Sequence, residues 1–437
     1  MENVLPARII ASSDDDIPPE HFIDVGRAIG QEYRHILVGM DNRPSTDVIH
    51  QAFIAGALST GAKVYDAGRI PLPALPFSDC DVNCMVYVSN PDNNDCMSGI
   101  ELMNRDGSYF SDIQLLRLNE YLKGAVSVPD NYELHDAERI CGAFDIYKEK
   151  LRANSGNPHS DANLRFFCDS LTHNTPVILN GRSTLALMVN CHMNNRSTER
   201  IVPNNEEDLK MLAKTVKANY GSVGIAINAN GDRIAGIDEN GGYIGGTMMF
   251  ALLMERLRPS SVALPIDTPM VITDLFDSEF VFTPSSYHRI GEVMKKANNV
   301  KFGGSADGAF IFPSMSYVPD GIMAGNVISS IASETSISNY LDSLPEYSVT
   351  RTSMRFMGDT NLVNRRMDAT LRSLGCDKVY RADSWRLDYG EGIFIITVNE
   401  SRMTIDITVE SKDKVYSTGL MEIATEAVDS CLKSISR

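Results

Sequence analysis

The chain has 437 residues, 43% of them hydrophobic and 22% charged, and a formal net charge of −17 at pH 7. Domains run to about 100–200 residues, so several are expected, and the hydrophobic content suffices to fold them without disulfides or structural metals. The acidity and the lack of Lys/Arg runs exclude nucleic acid and anionic membrane as main partners, because both require clustered positive charge.

No apolar run reaches the roughly 18 residues of a membrane span, and Met1-Glu2-Asn3 does not open a signal peptide, so the expected compartment is the cytoplasm. Eight cysteines are too sparse for a disulfide scaffold and are expected as free thiols. Cys80, Cys84 and Cys96 lack a nearby His or fourth Cys at zinc-site spacing and read as small buried side chains.

After Pro18 and Pro19, Phe22, Val25 and Ile29 recur at helical spacing, and His35 to Val38 reads as a strand ending at Gly39. From a candidate N-cap at Ser45, Val48, Phe53, Ile54 and Leu58 are expected to line a helix reaching Gly61, with a strand resuming over Lys63 to Asp66. Met85 to Val88, Val177 to Leu179 and Val223 to Ile227 are further strands, each closing on small or polar residues. Strands alternating with helices imply a mostly parallel, covered sheet with ligands at the strand ends.

The polar stretch Ala153 to Asn163 reads as a linker, and Pro259 to Ser261 and Leu344 to Tyr347 as later interruptions. The expected units are residues 1–150, 151–256, 257–347 and 348–437. The last differs in type: Gly392 to Thr397 and Thr404 to Val409 are β-rich and Gly419 to Ile435 is helical, which suggests a small sheet with helices on one face.

The runs Gly39-Met40-Asp41-Asn42-Arg43-Pro44-Ser45, Ala55-Gly56-Ala57-Leu58-Ser59-Thr60-Gly61 and Pro71-Leu72-Pro73-Ala74-Leu75 resemble the first domain of the α-D-phosphohexomutases. Gly231-Asp232-Arg233 with Asp238-Glu239-Asn240-Gly241, then Phe302-Gly303-Gly304, then Asp320-Gly321-Ile322 continue the resemblance in order over nearly the whole chain. It implies an α/β, four-domain phosphohexomutase-like architecture: three related mixed α/β domains followed by a smaller α+β C-terminal domain around a central cleft.

The family's chemistry moves a phosphoryl group between two hydroxyls of a hexose phosphate through a phosphoserine held in line with the incoming oxygen. The corresponding segment reads Tyr87-Val88-Ser89-Asn90-Pro91, one residue shorter than the family loop and without its His, so Ser89 stands at the nucleophile position. The resemblance adds Arg43 as a further catalytic-site residue, and it puts Glu101 where the family has an acid/base Lys. A strand-end hydroxyl turning locally with Asn90 and Pro91 is the bland reading of Ser89.

The family's magnesium is held by three aspartates, whereas Asn228-Ala229-Asn230-Gly231-Asp232-Arg233 retains only Asp232. Amides at Asn228 and Asn230 supply no charge to compete with the ion's hydration, so magnesium binding is expected to be weakened or lost, and a structural turn is the alternative reading. Arg233 suits a phosphate contact. Ser305 and Asp307, in Gly303-Gly304-Ser305-Ala306-Asp307-Gly308-Ala309, replace the Glu and Ser that take sugar hydroxyls in the family. At the family's phosphate-binding position the chain reads Thr397-Val398-Asn399-Glu400-Ser401-Arg402-Met403, where Ser401 and Arg402 offer two contacts or form a plain hairpin turn.

Four altered sites favour a family member that is impaired or inactive as a mutase and acts by binding a hexose phosphate, a related small molecule, or a protein such as an active paralogue. An active divergent mutase using Ser89 and a weakened magnesium site is the alternative. A third reading makes Glu101, Asp232 and Asp307 converging carboxylates for a different chemistry, which would require them within about 6–10 Å of one another.

Overall fold

The computed structural model describes residues 4–5, 8–12, 19–41, 46–89, 97–124, 129–130, 134–154, 165–170, 185–189, 205–297 and 299–435. Four sheets follow one another along the chain. The first has the order Val4–Leu5, Arg8–Ser12, Met97–Met103, Cys84–Ser89, His35–Met40, Lys63–Arg69, Glu138–Arg139. Its centre is parallel, and Met97–Met103 returns antiparallel beside Cys84–Ser89.

The helix Glu20–Glu32 buries Phe22, Val25 and Ile29, as their spacing predicts. The helix Thr46–Leu58 is rotated from the expected setting. Val48 is 56% exposed, while Ile49, Phe53, Ile54 and Ala57 face inward. These four keep the i, i+4, i+5, i+8 rhythm of one helical stripe, which Val48 leaves by one position. Ser45, Val177 to Leu179 and most of the 153–163 stretch lie outside the described residues.

The second sheet runs Tyr243–Ile244, Ile234–Ile237, Val223–Ile227, Arg165–Ser170, Leu185–Val189, and the third Glu279–Thr283, Ser261–Pro265, Phe302–Gly304, Phe310–Ile311. One apolar core runs from Phe22 to Ile337 through these first three sheets. Continuous burial of β-branched and aliphatic residues, as in Val223–Ile227 and Ser261–Pro265, is what parallel strands covered on both faces require.

The fourth sheet is wholly antiparallel, with order Ser348–Arg355, Thr404–Ser411, Gly392–Asn399, Trp385–Asp388, Lys378–Arg381. Period-two alternation divides its central strand. Phe394 and Ile396 pack under the helices Thr360–Arg372 and Lys414–Ile435, while Ile393 and Ile395 pack on Met270 of the third unit. Across that joint, the buried Arg386 guanidinium donates to the carbonyls of Ile266 (3.2 Å) and Thr268 (2.5 Å) and to Thr273 Oγ1 (2.8 Å). Glu410 in turn accepts from the Met270 amide at 2.6 Å.

The mixed α/β layers followed by an antiparallel sheet under two helices have the expected multidomain architecture. No helix among the described residues is long and apolar enough to cross a membrane.

Candidate active site and cleft

The strand Cys84–Ser89 ends with Ser89 side by side with Met97–Met103, in the register Tyr87 opposite Glu101 and Ser89 opposite Gly99. The Ser89 hydroxyl donates to Glu101 Oε1 across a long 3.5 Å contact, and the Tyr109 hydroxyl donates to Glu101 Oε2 at 2.8 Å. Ser89 is 2% exposed and Glu101 0%. A carboxylate so placed is tolerated because hydroxyl donors replace the water it has lost. Arg43 lies outside the described residues.

The segment Asn228 to Arg233 is a turn closed by its own hydrogen bonds. Asn228 Oδ1 accepts from the amides of Gly231 (3.1 Å), Asp232 (3.0 Å) and Arg233 (3.1 Å), and Asn228 Nδ2 donates to Asp232 Oδ1 at 2.6 Å. Gly231 takes φ +83°, a left-handed conformation that admits glycine without strain. The turn is wedged between units: the Leu72 amide donates to the Asn230 carbonyl, and the Gly321 amide to that of Gly231.

The donor set does not fit magnesium. Asn228 turns its NH2 toward the one remaining carboxylate and spends its oxygen on the backbone, and a hard cation needs several oxygens with charge among them. Asn230 is 1% exposed, and neither atom of its amide group has a hydrogen-bond partner among the described residues. No group of three or more His, Cys, Asp or Glu among the described residues is disposed to hold a metal ion.

The loop Gly304 to Ala309 is a tight turn, with the Ser305 amide on the Ala309 carbonyl and Gly308 at φ +86°. Ser305 Oγ donates to Asp307 Oδ1, and Arg233 Nε donates to Asp307 Oδ2 at 3.2 Å. The Arg233 guanidinium also lies 4.2 Å from the centre of the Tyr287 ring. Tyr287 packs on His288, and the His288 ring meets Tyr109 edge-on at 4.5 Å. Residues distant in sequence thus form one chain of contacts: Ser89, Glu101, Tyr109, His288, Tyr287, Arg233, Asp307 and Ser305.

A cleft of about 730 Å³ opens beside the last of these, walled by Tyr243, Thr247, Asp267, Thr268, Ser285 to His288 and Ser305 to Asp307. Asp267 faces the water of the cleft but is ringed by protein. Desolvation first, then repulsion from Asp383 and Asp307, lifts its carboxyl to about 6 in spite of Arg386.

Of the residues expected from sequence, Ser89 with Glu101, Asn228 with Asp232, and Arg233 with Ser305 and Asp307 are brought together. The carboxylates of Glu101, Asp232 and Asp307 are each engaged by different partners. Ser401 and Arg402 stand exposed in the hairpin turn between Gly392–Asn399 and Thr404–Ser411, both held by Asn399 Oδ1, and neither lines the cleft. That is the plain-hairpin alternative, which four residues between paired Asn399 and Thr404 are enough to close.

Sequence reasoning missed Tyr109, Asp267, Tyr287, His288 and Arg386. The one available signal was the polar and aromatic run Ser285-Ser286-Tyr287-His288, directly after the strand Glu279–Thr283, where open α/β sheets place ligands.

Residues 8–124 match the family described as phosphoglucomutase/phosphomannomutase, alpha/beta/alpha domain I. A probable phosphoglucosamine mutase of Methanosarcina barkeri is 28% identical over 410 residues, spanning 92% of this chain and 94% of that one. The structure is similar to a phosphoglucomutase/phosphomannomutase family protein from Burkholderia thailandensis, with a TM-score of 0.78, 16% identity and coverage of 98% and 96%. It is also similar, with a TM-score of 0.51, 11% identity and coverage of 90% and 82%, to the Aspergillus fumigatus N-acetylphosphoglucosamine mutase solved with GlcNAc-6P and magnesium.

Proposed function

This chain belongs to the α-D-phosphohexomutase family, and from that premise we propose that it binds a hexose-type small molecule in the cleft without performing the family's phosphoryl transfer. The observation that carries this reading is the buried Glu101 carboxylate against the Ser89 hydroxyl. A phosphoserine carries about −1.5 to −2 charge. Each unit-charge pair at about 4 Å is worth roughly 4 kcal/mol at an effective dielectric of 20, so a phosphate on Ser89 is repelled where the family needs it stabilised.

The self-closed turn at Asn228 to Asp232 supports the same reading, since it leaves one carboxylate where the family chemistry uses three. So does the pairing of Arg233 with Asp307, which diverts a guanidinium suited to phosphate. The acidic composition and the free thiols of Cys80, Cys84, Cys141, Cys376 and Cys431 support a cytoplasmic setting.

The second reading, an active divergent mutase, is favoured by the mutase names of its relatives and by the survival of Ser89 at a strand end. A mutase assay separates the two, using glucosamine, mannose and glucose phosphates with magnesium and their bisphosphate activators. The expected result is no turnover above the Ser89→Ala protein. Turnover that disappears in Ser89→Ala overturns the binding reading.

A further inference from the structure

We propose that Arg386 and Asp383, two side chains of the fourth unit that do not line the cleft, are its positioning residues: they hold residues 266–268 and Ser285 so that the Asp267 carboxylate is presented to a bound small molecule. The inference rests on the reading of this cleft as a ligand site.

One short piece of chain reaches two parts of the wall at once. Arg386 lies on the strand Trp385–Asp388, and Asp383 lies in the link that joins this strand to Lys378–Arg381. The Arg386 guanidinium donates to the carbonyls of Ile266 and Thr268, on either side of Asp267, and to Thr273 Oγ1. Asp383 accepts from the Ser285 amide at 3.0 Å and from the Ser285 hydroxyl at 3.3 Å. Asp267, Thr268 and Ser285 line the cleft. Phe282, on the strand that leads to Ser285, fills the space between the two grips. Its ring lies 5.1 Å from the guanidinium and 4.5 Å from the Tyr380 ring.

Stability alone does not account for a guanidinium at this place. Arg386 is 1% exposed, and burial pushes it down to about 10. Its hydrogen-bond partners are two carbonyls and a hydroxyl rather than a carboxylate. A joint packed with apolar side chains throughout is as stable or more so, whereas a planar fork fixes the direction of the carbonyls it holds.

The consequence falls on Asp267. Desolvation first, then the nearby charges of Asp383 and Asp307, raise its carboxyl against the pull of its own amide and of Arg386. At neutral pH it is mostly ionised and accepts from the hydroxyls or the ammonium of a sugar-type ligand. A carboxylate in such a field gains solvation by turning out toward water. Holding its backbone from behind keeps it at the wall, and binding need not order it.

The first test needs no ligand. The titration of Asp267 is followed by NMR of the full chain, isotope-labelled at aspartate side-chain carboxyls and assigned with Asp267→Asn. The midpoint is expected near 6. Arg386→Lys keeps the charge and loses the fork, and should lower the midpoint by about one pH unit as the loop relaxes into water. Asp274→Ala is the control for a purely structural joint. Asp274 accepts from the Tyr347 hydroxyl and pairs with Lys412 without lining the cleft, and its loss should leave the midpoint in place. Thermal melts confirm that the variants fold, and Asp383→Ala, at an exposed position, is a second variant of the brace.

The second test is calorimetric titration near neutral pH with glucosamine 6-phosphate, glucose 6-phosphate and glucose. For whichever binds, Arg386→Lys and Asp383→Ala should each weaken binding by about fivefold or more, and Asp274→Ala by less than about twofold. Added to Asp267→Asn, Arg386→Lys should have little further effect, because it acts through that carboxylate. A wild-type midpoint near the ordinary 3.8, a midpoint that Arg386→Lys leaves unmoved, or equal effects of Asp274→Ala overturns the inference. Failure of every one of these compounds to bind sinks the cleft reading beneath it, while the titration still decides the brace, so the two failures are distinguishable.

Discussion

The Tyr147 hydroxyl donates to Asp320 Oδ1 at 2.8 Å, joining the helix Ala143–Asn154 to the N-cap of Gly321–Glu334 across 173 residues of sequence. Asp320 also accepts from the Met323 amide at 2.8 Å, and desolvation outweighs both bonds, lifting its carboxyl to about 7. Its folded pKa therefore lies above the unfolded value near 3.8, and the native state keeps a proton that the unfolded chain releases. Stability is expected to fall as pH rises from about 4 to about 7 and to level off above, by at most about 4 kcal/mol from this residue. Asp320→Asn keeps an acceptor at the cap and should flatten that slope, as read by urea denaturation across the pH range.

The Arg386 joint predicts a large stability effect. Arg386→Met leaves three acceptors unsatisfied and removes the positive neighbour of buried Glu410, whose carboxyl burial already pushes upward. The expected loss is about 3 kcal/mol or more. Arg386→Lys should recover less than half of it, because one ammonium does not reproduce a planar fork reaching three oxygens. Fluorescence of Trp385, the single tryptophan and the adjacent residue, reports the transition.

The closed turn predicts indifference to magnesium. The wild-type melting temperature should not move with millimolar magnesium. Asn228→Asp sets a carboxylate against Asp232 in place of a 2.6 Å hydrogen bond and should lower it. The double variant Asn228→Asp with Asn230→Asp restores three carboxylates and should regain stability only when magnesium is added. Differential scanning fluorimetry with and without EDTA checks all three.

Ser89 and Glu101 should be energetically coupled against negative charge. Ser89→Asp is expected to destabilise by about 2–4 kcal/mol in the native background and by markedly less with Glu101→Gln. Equal costs in the two backgrounds would show that the Glu101 charge does not oppose a phosphorylated Ser89. A double-mutant cycle from chemical denaturation measures the difference.

How much was legible in advance varies by element. The helix through Phe22, Val25 and Ile29 and the strand Val223–Ile227 were readable because each is written in a local rhythm of burial. Val48 was misplaced because two apolar stripes one position apart look alike until the helix has something to pack against. The loop Asn228 to Arg233 was readable as a turn short of carboxylates, but the orientation of the Asn228 amide was not.

The alternation of elements, the order of the four motif segments and the loss of charge at the metal loop are legible along the chain, since each is a property of neighbouring residues. Long-range packing set the rest: Glu101 meets both Ser89 and Tyr109, Arg233 is taken by Asp307 74 residues away, and Arg386 braces a loop 118 residues before it. Such pairings depend on how buried polar groups find partners once water is excluded. That satisfaction is settled among surfaces brought together by the whole fold, which no local pattern encodes.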